Sequence, residues 1–68
     1  MVVTVNGQPR EIASGVTLSS VIGQLPGVPE GRGVAVALEG EVVPRAAWQR
    51  TILEEGSRIE IVVAVQGG

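Results

Sequence analysis

One short stretch of the chain carries apolar residues at helical spacing. Leu18, Val21, Ile22 and Leu25 occupy positions i, i+3, i+4 and i+7, which places them on one face of a helix. Thr17 precedes them as the expected N-cap, because its hydroxyl can accept a hydrogen bond from a free amide of the first turn. A helix of about two turns is not stable alone in water, so it needs a sheet to pack against.

The other apolar runs are short and rich in β-branched residues, which predicts strands. The first strand, at 2–5, is expected to return through an Asn6-Gly7 turn, where both residues tolerate a positive φ. Because Pro9 cannot donate to a ladder, the return strand is expected at a sheet edge. The remaining predictions are strands at 34–38 and 41–43, a helical turn at 46–49 and a last strand from Arg58.

This order of elements predicts an α+β fold, with a mixed sheet of four or five strands packed on one main helix. The first and last strands are expected to pair in parallel at the sheet centre, with the helix in the crossover between them. That arrangement is the β-grasp, or ubiquitin-like, fold. We expect a β-grasp domain at 1–64 and a flexible C-terminal diglycine tail at 65–68.

The composition argues against an enzyme that acts alone. The 68 residues allow one domain and include neither cysteine nor histidine. These absences remove disulfides, thiolate nucleophiles, thiolate metal sites and the commonest general base. Glu54-Glu55 is the nearest approach to a catalytic carboxylate pair, but its position beside Gly56 indicates a solvated turn.

Other function classes are also disfavoured. The net charge is −2, the basic residues are not clustered, and Trp48 is the only aromatic residue, so nucleic-acid binding is not expected. No apolar run reaches the ~20 residues of a membrane span, and no signal-like segment opens the chain. We therefore expect a cytoplasmic protein.

The sequence ends on Gly67-Gly68, shortly after the last predicted strand. A strand in that position would deliver two glycines and an α-carboxylate into solvent. Since glycine has no Cβ, such an end can enter a narrow channel. The alternative is an ordinary frayed terminus.

Together these residues resemble the family of small sulfur carrier proteins of thiamine (thiazole) biosynthesis, over essentially the whole chain. The resemblance is carried by the opening strand with Asn6-Gly7, the Gly15-Val-Thr-Leu18 approach to the helix, Val34-Ala-Val-Ala-Leu38, Val42-Val43-Pro44-Arg45 with Trp48, the turn at 55–59 and Gly67-Gly68.

The resemblance implies a carrier with no bound cofactor and no catalysis of its own. A partner resembling ubiquitin-activating enzymes would use ATP to adenylate the C-terminal glycine. A sulfur-donating persulfide enzyme would then convert it to a thiocarboxylate, and thiazole synthase would take the sulfur. The resemblance also implies that Gly68 bears the reacting carbon and that Gly67 supplies clearance in the partner's channel. Val65 and Gln66 would form the extended stalk that connects the diglycine to the domain.

Alternation along the last strand suggests where a partner docks. Ile59, Ile61 and Val63 are expected to pack under the helix, which leaves Val62 and Ala64 apolar on the outer face. We expect Val62 and Ala64 to contact the activating enzyme. The alternative is a strand covered on both faces within the monomer.

Three other functions remain open from the sequence. The chain could carry sulfur in another pathway, as the molybdopterin synthase small subunit does. It could be a ubiquitin-like protein modifier, whose terminus passes to a lysine of a target. It could also be a plain β-grasp interaction domain with an inert tail.

Overall fold

The computed structural model describes residues 1–25 and 33–63, and within them one five-stranded sheet carries one α-helix. The strand order is β2-β1-β5-β3-β4. The elements are β1 (Val2–Val5), β2 (Gln8–Glu11), α1 (Leu18–Gln24), β3 (Val34–Leu38), β4 (Glu41–Val42), a 3₁₀ helix (Arg45–Arg50) and β5 (Arg58–Val63). The predicted α+β architecture is confirmed.

β5 is the central strand, and its pairing confirms the expected parallel contact. It runs parallel to β1, with Thr4 opposite Arg58 and Val5 opposite Ile59, and antiparallel to β3. β2 lies at the sheet edge, where Pro9 was expected. The strand that leads into residues 64–68 is therefore paired with β1 at Arg58 and Ile59, and with β3 from Ile59 to Val63.

The helix begins and packs as its sequence predicts. Thr17 Oγ1 accepts a hydrogen bond from the Ser20 amide at 3.2 Å. Its buried side chains are Leu18, Val21 and Ile22. Leu25 is the C-cap and is partly buried against the core. Pro26 and Gly27, residues typical of a helix end, follow Leu25 in the sequence and lie outside the described residues.

Trp48 is part of the core. The predicted helical turn is the 3₁₀ helix, which packs against α1 and buries the indole to 7% exposure. The indole Nε1 donates to the Val43 carbonyl at 2.9 Å, so its polar atom is satisfied. Glu54-Glu55 lies in a turn as expected, with both side chains exposed.

One packing prediction was partly wrong. Ile59 and Ile61 are buried under the helix, at 1% and 8% exposure, but Val63 is 38% exposed. Val63 lines an open groove of ≈580 Å³ together with Leu25, which follows the last residue of α1. The helix therefore ends too early to cover Val63.

Candidate functional site

The candidate site is the carboxyl-terminal end of β5. Val62, the predicted docking residue on this strand, is 65% exposed. The other predicted site residues lie outside the described part of the chain: Ala64, Val65, Gln66, Gly67 and Gly68. The structure therefore shows the strand that leads to the tail, and we call residues 61–63 the tail root.

The side chains of β5 alternate between two different faces of the sheet. Ile59 and Ile61 point toward α1, whereas Glu60 and Val62 alternate onto the opposite, open face. The expected outward position of Val62 is confirmed. The alternative of a strand covered on both faces does not hold for residues 58–63.

The open face carries an apolar strip that spans three strands. Ala35 lies opposite Val62, and Ala37 lies opposite Val42 on the next strand. Val42 is 75% exposed, Ala35 is exposed and Ala37 is half-buried. We call these four residues the apolar strip. Alternation along β5 predicted only Val62 on this surface. Positions 34–38 are all apolar, so their pattern does not mark a face for Ala35 and Ala37, and the predicted strand around Val42 has only three residues.

The side chain of Asn6 holds the tail root from the β1 side. The backbone N–H of Asn6 donates to the Ile59 carbonyl at 2.9 Å, where the β1–β5 ladder ends. The side chain then continues the pattern, because Oδ1 accepts from the Ile61 amide at 2.8 Å and Nδ2 donates to the Ile61 carbonyl at 3.2 Å. Both backbone polar groups of Ile61 that face β1 are thereby satisfied.

A comparable contact holds the opposite end of β5. The Glu39 amide donates to the Arg58 carbonyl at 2.9 Å, and Glu39 Oε2 accepts from the Arg58 amide at 2.6 Å. Asn6 and Glu39 both have a φ of 51°, and each is followed by a glycine. The central strand is thus tied at both ends by the first residue of a tight turn.

Residues 1–25 and 33–63 contain no group of three or more histidine, cysteine, aspartate or glutamate side chains placed to hold a metal ion. Within the same ranges, no helix has the length and apolar character needed to cross a bilayer.

Comparison with known proteins shows similarity over nearly the whole sequence. The family model of the ThiS family matches residues 3–68. The sulfur carrier protein ThiS of Escherichia coli is 29% identical over 68 residues, which cover all of both chains. A thiazole synthase of Paramagnetospirillum magneticum is 32% identical over 68 residues, so the match spans all of this chain but only 20% of that protein.

Solved structures show the same fold. The crystal structure of a thiamine biosynthesis protein (ThiS) from Geobacter metallireducens superposes with a TM-score of 0.82, at 31% identity and with full coverage of both chains. A solution structure of a thiamine biosynthesis protein from the same organism gives a TM-score of 0.80, also at 31% identity, and this chain covers 88% of it. The β-grasp prediction is therefore confirmed.

Proposed function

Since the chain belongs to the ThiS family, the sulfur carriers of thiamine biosynthesis, we propose that it carries sulfur as a thiocarboxylate on Gly68. In this role the chain is a substrate of its partner enzymes and catalyses no step itself. One observation carries the proposal: the family match extends through residue 68 and so includes Gly67-Gly68.

The chemistry begins with an unreactive carboxylate. An α-carboxyl group has a pKa of ~3.5 and is ionised at neutral pH, so its charge repels nucleophiles and its leaving group is poor. Attack of a carboxylate oxygen on the α-phosphate of ATP releases pyrophosphate and gives an acyl-adenylate. ATP is bound by the activating enzyme, so this chain needs no nucleotide site.

Sulfur then replaces the adenylate. The terminal sulfur of a donor persulfide attacks the acyl carbon and displaces AMP, which leaves an acyl disulfide. A thiol then attacks the donor's sulfur in this acyl disulfide, which releases the thiocarboxylate and leaves the donor in a disulfide with the thiol. With free sulfide as the nucleophile, the displacement gives the thiocarboxylate directly.

The tail must bring Gly68 into a site that the folded domain cannot enter. Four extended residues reach ~13 Å, which allows Val65 and Gln66 to act as a stalk while the domain remains outside. Gly67 adds clearance, because it has no side chain beyond the backbone.

Docking on the activating enzyme is assigned to Val62 together with Ala64. Val62 is 65% exposed and belongs to the apolar strip, which offers a partner a larger surface than the two predicted residues alone. Burial of a valine contributes about 1.5–3 kcal/mol, so covering the exposed part of Val62 supplies about 1–2 kcal/mol of binding free energy.

Thiazole synthase is the proposed acceptor of the sulfur. The thiazole synthase of Paramagnetospirillum magneticum includes a segment similar to this whole chain, which supports a functional link between the two. That protein is about five times longer than the matched segment, because this chain spans only 20% of its length.

The intact mass of the protein tests the carrier proposal. The protein is incubated with ATP, a sulfur source and lysate of its own organism, in parallel with a variant that lacks Gly68. We expect a mass gain equal to the exchange of one oxygen for sulfur, and no gain without ATP or without Gly68. An unchanged mass in a lysate that is competent to activate a sulfur carrier would overturn the proposal. Conjugates of this protein to other proteins would identify a protein modifier instead.

A pair of glutamate substitutions tests the docking surface. Ile52 is 63% exposed and lies outside the strands, which makes Ile52→Glu a matched control for Val62→Glu. We expect Val62→Glu to raise the activating enzyme's KM for the carrier about tenfold, because a loss of about 1.4 kcal/mol of binding free energy corresponds to that factor. The KM for Ile52→Glu should stay near the wild-type value. Normal thiocarboxylate formation by a folded Val62→Glu variant would contradict the assignment.

A further inference from the structure

The parallel ladder between β1 and β5 stops before the tail root. Its pairs are Thr4 with Arg58 and Val5 with Ile59, after which β1 turns away at Asn6-Gly7. β5 continues to Val63 and remains paired with β3 on its other side. The β1 side of Ile61 therefore needs a substitute for a strand neighbour.

Asn6 provides that substitute through its side-chain amide. The amide presents one acceptor and one donor to Ile61, at 2.8 and 3.2 Å, much as a backbone peptide unit would. Asparagine, aspartate and glycine all suit the first position of this positive-φ turn. Only asparagine among them also offers both a donor and an acceptor at neutral pH. The turn alone would therefore accept asparagine, aspartate or glycine at position 6, and only asparagine also makes both hydrogen bonds to Ile61.

We propose that Asn6 is a positioning residue for activation of the carboxyl terminus, because it holds the tail root, from which the tail continues. The inference rests on the proposed carrier function. Ile61 immediately precedes Val62 of the apolar strip, and residues 62–68 connect it to the reacting carbon. Holding both polar groups of Ile61 therefore sets the tail root in a fixed relation to the apolar strip.

This relation affects the rate at saturating carrier concentration more than it affects binding. A bound carrier still has to place its terminal carboxylate against the α-phosphate in the partner's site. A misplacement of about 1 Å at a reacting centre can lower the rate by up to about 10²-fold. Loss of the Asn6 contact frees one side of the tail root, while the β3 pairing keeps β5 in the sheet.

The chain offers a matched control at the other end of the same strand. Glu39 shares the φ of 51° and the following glycine, and its carboxylate also binds a backbone amide of β5. That amide belongs to Arg58, at the end of the strand far from the tail. Glu39→Gly therefore removes a side-chain contact to β5 without touching the tail root.

The experiment compares Asn6→Gly, Asn6→Asp and Glu39→Gly with the wild-type protein. Asn6→Gly keeps a residue suited to positive φ and removes the amide, and Asn6→Asp keeps an acceptor but loses the donor to Ile61. The purified activating enzyme is assayed for pyrophosphate release as the carrier concentration is varied. Amide hydrogen exchange of Ile61 and Arg58 shows whether Asn6→Gly and Glu39→Gly have removed the hydrogen bonds to those two amides.

We expect Asn6→Gly to lower kcat about tenfold with a KM within about threefold of wild type, and Asn6→Asp to have an intermediate kcat. Glu39→Gly is expected to lose protection at Arg58 and keep the wild-type kcat. A wild-type kcat in Asn6→Gly despite lost protection at Ile61, or an equal decrease in Glu39→Gly, would overturn the inference. If Asn6→Gly does not fold, a wild-type kcat in a folded Asn6→Asp variant, which has lost the donor to the Ile61 carbonyl, would overturn it equally. Failure of the wild-type protein to be activated would refute the carrier function itself, which is a separate outcome.

Discussion

Replacement of Leu18 by alanine is expected to remove much of the stability of this domain. Leu18 is fully buried between the helix and the sheet, in the same core as Val3, Val36 and Ile59. Its amide donates to the Thr51 carbonyl at 2.8 Å, which holds its backbone in place and limits collapse around a cavity. Buried leucine-to-alanine substitutions cost about 2–5 kcal/mol, and poor collapse places this one at about 4 kcal/mol.

A loss of about 4 kcal/mol is large relative to the total free energy of unfolding of such a domain. A chain of this length has a free energy of unfolding of about 3–10 kcal/mol. Leu25→Ala is the control, because Leu25 is only partly buried and follows the last helical residue. Its smaller loss of burial predicts a cost of about 1 kcal/mol.

Trp48 makes the assay simple, because it is the only aromatic residue and is 7% exposed in the folded state. Its fluorescence reports urea unfolding of both leucine variants. With a slope of about 1 kcal/mol per molar urea, Leu18→Ala should lower the midpoint by about 4 M or leave the chain unfolded without urea. If Leu18→Ala lowers the midpoint no more than Leu25→Ala does, packing of the helix on the sheet does not provide the stability assigned to it.

Three further predictions concern single contacts. Trp48→Phe leaves the Val43 carbonyl without its indole donor and should cost about 1–3 kcal/mol in urea unfolding followed by circular dichroism; an unchanged midpoint would contradict the role of that bond. Thr17→Ala removes the N-cap and should cost about 1 kcal/mol in the same assay, whereas no loss would show that the cap is dispensable. Gly23→Ala places its added Cβ with nothing within 4 Å and should stabilise the helix by about 0.5–1 kcal/mol. Gly56→Ala, at a φ of +80°, should destabilise the folded protein by about 1–2 kcal/mol. Equal effects of the two substitutions would show that backbone conformation does not decide the result.

Much of the fold was predictable because its signals are local. The stripe of 18–25 predicts the helix, Asn6-Gly7 predicts the first hairpin, and Pro9 predicts an edge strand. All three are confirmed. Each prediction depends only on residues that are close in sequence, so no knowledge of the sheet was needed.

The errors and omissions have a common cause in long-range geometry. Alternation placed Val63 on the helix side, but it did not show that α1 ends before covering it. The register of β3 against β5, which brings Ala35 beside Val62, is not encoded in a run that is apolar throughout. Asn6 was fully accounted for as a turn residue, so nothing local pointed to its bond with Ile61, 55 positions away.

The proposed carrier function requires that sulfur held on this protein enters the thiazole of thiamine. The most direct measurement uses the carrier loaded at its terminus with a heavy isotope of sulfur and incubated with thiazole synthase and the synthase's other substrates. Mass spectrometry then follows the isotope in the thiazole product. We expect the product to contain the isotope in proportion to the loaded carrier consumed. A product that forms with unlabelled sulfur, while the carrier keeps its isotope, would contradict it.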